Sequence, residues 1–139
     1  MRYKVSLIYK NVENEIAEEI VWVKKIGNYF KVDNIPFFAP NIALNDLIEV
    51  EIEDGKKYFN KIVKQSGHST VQLIFFEEKD KNTIINKLEK LGCTWEGLAN
   101  QKYIAIDISP KINYVAVKSF LDTLLIENVL DFKESCLSH

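Results

Sequence analysis

Hydrophobic and polar residues alternate with a period of two over the first half of this chain and move to a helical spacing in parts of the second. Tyr3, Val5, Leu7 and Tyr9 are interleaved with Lys4, Ser6 and Lys10, the pattern of a half-buried strand. Asn11 to Glu19 is polar and acidic, a connection or the frayed start of the next strand. Ile20 to Ile26 is β-branched and aromatic and predicts a second strand. Gly27-Asn28 then reads as a tight turn, and Tyr29 to Val32 as the returning partner. Leu47 to Glu53 alternates strictly, with Ile48, Val50 and Ile52 expected inward and Glu49, Glu51 and Glu53 outward. Asp54-Gly55 is a strong hairpin signal, and Lys57 to Val63 runs back.

Residues 33–46 interrupt this regularity. Pro36 and Pro40 fix two backbone angles and remove two amide donors, so no ladder runs through the segment. Phe37 and Phe38 lie between them and are too apolar for an ordinary solvated loop. The segment therefore reads as a covering connection packed over the β-structure.

After Gln65 to Thr70, a hinge with one glycine, small hydroxyls and His68, the pattern changes. Val71 to Phe76 is a buried strand, and Glu77 to Asp80 a charged loop. Ile84, Ile85, Leu88 and Leu91 share a helical face that Gly92 stops. Cys93 to Leu98 and Tyr103 to Ile108 read as two strands joined by a loop at residues 99–102. Ser109-Pro110 has the form of a cap followed by a first-turn proline. Tyr114, Val117, Phe120, Leu121 and Leu124 give the helix that follows an apolar face, and Val129 to Phe132 is a final strand. The fold class is α+β: residues 1–66 form an antiparallel sheet or partial barrel, and residues 67–139 a βαββαβ, or ferredoxin-like, unit.

Composition narrows the function. With 47% hydrophobic residues in 139, the chain can build a sizeable core. Eighteen basic against 20 acidic residues give a net charge of -2, which argues against nucleic-acid binding. Trp22, Tyr58, Phe59 and Trp95 lack the flanking Lys/Arg clusters that a base-stacking surface needs. No apolar run reaches the roughly 20 residues of a membrane span, and Met1 to Val5 is strand-like rather than a leader, so the expected location is the cytoplasm. Cys93 and Cys136 are far apart, which favours free buried thiols there, and two Cys with two His give no expected metal site. No phosphate-cradling loop is present, and no cofactor is expected.

Several stretches together resemble one family. Asp33 to Ala39, Asn45-Asp46, Ser66-Gly67-His68-Ser69-Thr70, Ala105 to Ile108 with Pro110, and the closing Glu134 to His139 are similar to the bacterial proteins grouped as domain of unknown function 4265. Members of that family often carry Gly-Asp where this chain has Asn45-Asp46. The resemblance implies a bacterial source and one fold over nearly the whole chain; the family's name assigns no activity.

Two constellations carry candidate chemistry. His68 with Ser66 or Ser69 could make a base and nucleophile. The competing reading is that these side chains satisfy backbone groups where two sheets meet. With Phe37 and Phe38, His68 and Ser69 define an alternative pocket for a small-molecule sensor or small enzyme. Asp33, Asn34 and Asp46 could line a polar pocket but more often bond their own backbone. Asp107 reads as a solvent-facing strand position, and His139 as solvated or tied to the preceding turn. The second constellation is Glu49, Glu51, Glu53 and Asp54, carboxylates on one side of a hairpin that raise a local negative potential. Such a face either blocks edge pairing or docks a basic partner. The expected function is a non-enzymatic protein-binding module, in its concrete form an immunity protein for a basic, nuclease-like toxin.

Overall fold

The computed structural model describes residues 1–97 and 101–139. Its chain is α+β, built from antiparallel sheets and two helices. β1 (Arg2–Lys10) pairs antiparallel with β2 (Ile16–Ile26), which pairs with β3 (Tyr29–Val32). β3 pairs with β4 (Leu47–Glu53), and β4 with β5 (Lys56–Lys64). A parallel rung between Ser6 and Tyr58 joins β5 to β1 and closes the barrel. The turns are where the glycines predict them. Gly27 has φ +60°, and Asp54 and Gly55 have φ +52° and +77°, the double left-handed step of a type I′ hairpin.

Val5, Leu7, Val21, Val23, Phe30, Val32 and Ile48 fill the barrel, and Ala39 and Ile42 from the covering segment pack among them. Ile52 departs from expectation: it is 68% exposed. The β4–β5 hairpin outlasts the barrel core, whose β4 contribution ends with Ile48 and the partly buried Val50, so alternation past that point no longer selects an interior. The acidic stretch before Ile20 is also strand, because β2 begins at Ile16 opposite Lys10.

The second half runs β6 (Ser69–Phe75), α1 (Lys81–Lys90), β7 (Thr94–Gly97), β8 (Tyr103–Ile108), α2 (Tyr114–Ile126) and β9 (Leu130–Cys136). Its sheet has the order β7-β8-β6-β9 with every neighbour antiparallel. Glu78–Asp80, in the expected loop, form a short 3-10 turn. α1 ends as Gly92 predicts. The Gly92 amide donates to the Glu89 carbonyl and the Cys93 amide to that of Leu88, with Gly92 at φ +99°, a Schellman cap. α2 begins later than the Ser-Pro signal suggested, since Asn113 is its cap and accepts from the Val115 amide. β9 runs four residues past the expected Phe132, through the polar Lys133 and Glu134, because its pairing with β6 continues to Cys136 across a bulge at Ser135. Of the loop expected at residues 99–102, residues 99 and 100 lie outside the described residues, as does residue 98, the expected end of the strand before it.

One face of this sheet carries Val71, Leu73, Phe75, Ile104, Ile106 and Ile108 against Leu88, Val117 and Leu121 of the helices. The other face is polar yet buried, with Thr70, Gln72 and Asp107. Residues 33–46 lie over it: the Asn41 amide donates to the Ser135 carbonyl at 2.9 Å, and the Tyr103 hydroxyl donates to the Phe37 carbonyl. The covering segment thus touches both the barrel core and the second sheet. Asp107, expected at the surface, is buried because that segment covers its face. Cys93 and Cys136 are free and buried, and burial raises both thiols, Cys93 to about 11, which leaves them poor nucleophiles at neutral pH. Among the described residues no helix is long and apolar enough to cross a membrane.

Candidate functional site

The hinge is fastened by Asp46. Its Oδ1 accepts the Ser66 amide at 2.8 Å and its Oδ2 the Ala43 amide at 2.9 Å, so one buried carboxylate ties hinge to covering segment. Ser66 Oγ donates to the Leu44 carbonyl and accepts the His68 amide. Gly67 has φ +88°, and a Cβ there would stand 2.9 Å from the Pro110 ring, so this turn requires glycine. Asn45 has φ +69°, the left-handed conformation that glycine would adopt more easily.

His68 and Ser69 do not meet as base and nucleophile. His68 Nδ1 lies 2.7 Å from Asp107 Oδ2, and the Asn45 amide nitrogen lies 3.4 Å from Nε2. Burial raises the Asp107 carboxyl above the usual range while the bond to His68 pulls it back. Asp107 Oδ1 and the nearby Thr70 Oγ1 have no partner among the described residues. Ser69 is fully buried and pairs instead with the C-terminal residue, its Oγ 2.6 Å from His139 Nδ1. His139 Nε2 faces the Ser109 carbonyl at 2.8 Å and so carries a proton there. Ser69 also accepts the Ser138 amide. His139 is exposed, as expected, and is also tied down through Ser69 and Ser109. Residue order gave no sign of either partner, since Asp107 and His139 lie 39 and 70 positions from theirs.

Phe37 and Phe38 belong to a different place. With Glu18, Glu19 and Ile20 of β2, Asn34, and Trp95 and Glu96 of β7, they line a cleft of about 670 Å³ between barrel and sheet. His68 lines a smaller hollow of about 320 Å³ with Lys31, Asn45 and Lys64. The cleft wall is built by carboxylates. Glu19 accepts three consecutive amides of the covering segment, Phe37 at 2.5 Å, Phe38 at 2.9 Å and Ala39 at 2.8 Å. Glu96 accepts the Ile35 amide at 2.6 Å, and partial burial raises its carboxyl. Phe38 stacks on Tyr103 at 5.1 Å and Phe37 meets the same ring edge-on. Burial also pushes the Tyr103 hydroxyl up, keeping it a donor. Asn34, which lines the cleft beside Phe37 and Phe38, accepts the Trp22 amide at 2.6 Å, and Asp33 pairs with Arg2 at 3.0 Å. Glu19 and Glu96 were not singled out in the sequence: one sits in an acidic stretch, the other in a short edge strand.

On the β4–β5 hairpin, Glu49 meets Lys61 at 3.8 Å and accepts from Asn60 at 2.8 Å. Glu51 faces Tyr58 across the ladder, and Glu53 faces Lys56, which is drawn to Glu18 at 2.8 Å. Glu51, Glu53 and Asp54 are exposed.

A closed five-stranded barrel joined through a covering segment to a helix-backed antiparallel sheet places this chain among α+β proteins with a cleft at the junction. The chain belongs to the DUF4265 family, described as "Domain of unknown function (DUF4265)", whose model matches residues 19–132. A solved structure titled "Novel crystal structure of a hypothetical protein from Neisseria gonorrhoeae" is 28% identical; the match covers 100% of this chain and 97% of that one, with a TM-score of 0.91. No curated protein matches.

Proposed function

We propose that this chain is a non-enzymatic protein-binding module that acts in the cytoplasm on a basic partner, in its concrete form an immunity protein that neutralises a nuclease-like toxin. The observation that carries this reading is the β4–β5 hairpin that outlasts its core: Ile52 is 68% exposed on one face of β4, and Glu51 and Glu53 are exposed on the other. An exposed apolar side chain backed by carboxylates on the same strand suits a contact surface, where the apolar group is desolvated and the charges select the partner. Nucleases present basic surfaces to phosphate, which an acidic hairpin complements. We also read the order β7-β8-β6-β9 as a ferredoxin-like unit whose open sheet face is filled by residues 33–46. On that reading contact is left to the outer surfaces. The test is capture of the product of an adjacent toxin-like reading frame. Reversing Glu49, Glu51 and Glu53 to Lys should weaken capture by about 100-fold and flatten its salt dependence; unchanged capture would contradict the proposal.

A further inference from the structure

The cleft between β2, residues 34–38 and β7 differs from the rest of the surface in what its charges and rings lack. Elsewhere the chain supplies its own cations. Arg2 lies 4.6 Å from the Trp22 ring, Lys57 4.9 Å from Tyr3, and Lys56 5.3 Å from Tyr58. Lys61 answers Glu49, and Arg2 and Lys24 answer Asp33. Of the carboxylates that line the cleft, Glu18 is answered by Lys56. In the cleft, among the described residues, neither Glu19 nor Glu96 has a cation within salt-bridge distance, and no Lys or Arg lies over Phe37, Phe38 or Trp95. Phe38 is 51% exposed and Ile20 46%, so an apolar lip borders the carboxylates.

We propose that this cleft receives an arginine side chain of a partner protein, its guanidinium facing Glu19 and Glu96 and its apolar neighbours lying on Phe38 and Ile20. Arginine fits better than lysine because its planar, weakly hydrated head both bonds carboxylates and stacks on rings. A volume of about 670 Å³ exceeds one side chain, so flanking residues enter as well. Burial raises the Glu96 carboxyl, and the Ile35 amide and the charge of Arg2 offset this only in part. The inference rests on the reading of the chain as a module for a basic partner, and it names the point of insertion.

The experiment uses the whole chain with W22F, which leaves Trp95 as the one remaining tryptophan. Titration with N-acetyl-Leu-Arg-Leu-amide should give a saturable change in Trp95 emission. The same peptide with citrulline, which keeps the shape without the charge, should give none. E96Q preserves an acceptor for the Ile35 amide and should weaken binding at least about tenfold, the cost of losing a charge-assisted pair, with an unchanged melting temperature. No saturable change with the arginine peptide, equal response to citrulline, or unaltered affinity in E96Q would each overturn the proposal. The two proposals fail separately. Peptide binding that persists while hairpin reversal leaves partner capture intact removes the hairpin and keeps the cleft. Capture that needs the hairpin without any peptide binding does the reverse.

Discussion

Two polar constellations flank the covering segment, and they are built on opposite principles. On the hinge side, Asp46, Ser66, His68, Ser69, Asp107 and His139 spend their hydrogen bonds on one another and on backbone amides, and Ser69 and Asp107 are sealed from solvent. On the cleft side, Glu19 and Glu96 also fasten the segment, but they do so from the wall of an open space rimmed by exposed aromatics. Residues that look catalytic in isolation thus serve as a clasp, while plain glutamates border the accessible volume. Such a network favours one arrangement of the two sheets, because breaking a buried member orphans a further group beside the unpartnered Asp107 Oδ1.

The contrast can be broken from either side. The largest expected effect belongs to Asp46→Ala, which strands the buried Ala43 amide and the part-buried Ser66 amide and should cost about 3 kcal/mol in urea unfolding. Glu19→Ala releases three amides at a partly exposed site, where water replaces the carboxylate; it should cost about 1 kcal/mol. Equal costs at both positions would erase the distinction between clasp and cleft wall.

A smaller effect concerns pH. Because the folded Asp107 carboxyl is raised above its unfolded value, the native state holds that proton to higher pH than the unfolded chain. The resulting stability is present below about pH 4, the unfolded carboxylate value, and is lost as pH rises through the folded value. The stability of the natural chain minus that of Asp107→Asn should therefore fall between pH 4 and neutrality, as followed by urea unfolding at several pH values. A difference that rises with pH would mean that the pairing with His68 outweighs burial.

How far the sequence could be read follows the range of the interactions involved. Hairpins announced themselves at Gly27 and Asp54-Gly55, since a tight turn needs left-handed residues wherever the strands end up. The second half's element order was also legible from local periodicity. Ile52 misled because alternation states which side of a strand is apolar, not whether a core lies beneath it. Asp107 looked solvent-facing because the cover over its face comes from residues 33–46, far away in the chain. The cleft was least visible of all: its carboxylates come from β2 and β7, and nothing local distinguishes Glu19 from its acidic neighbours.

A two-dimensional amide NMR titration of the nitrogen-labelled chain with the arginine peptide compares both constellations in one measurement. The amides of Glu19, Ile20, Phe37, Phe38, Trp95 and Glu96 should shift, with those of His68, Ser69 and Asp107 unmoved. Shifts centred on His68 and Ser69, with the cleft silent, would contradict the assignment of clasp and binding surface made here.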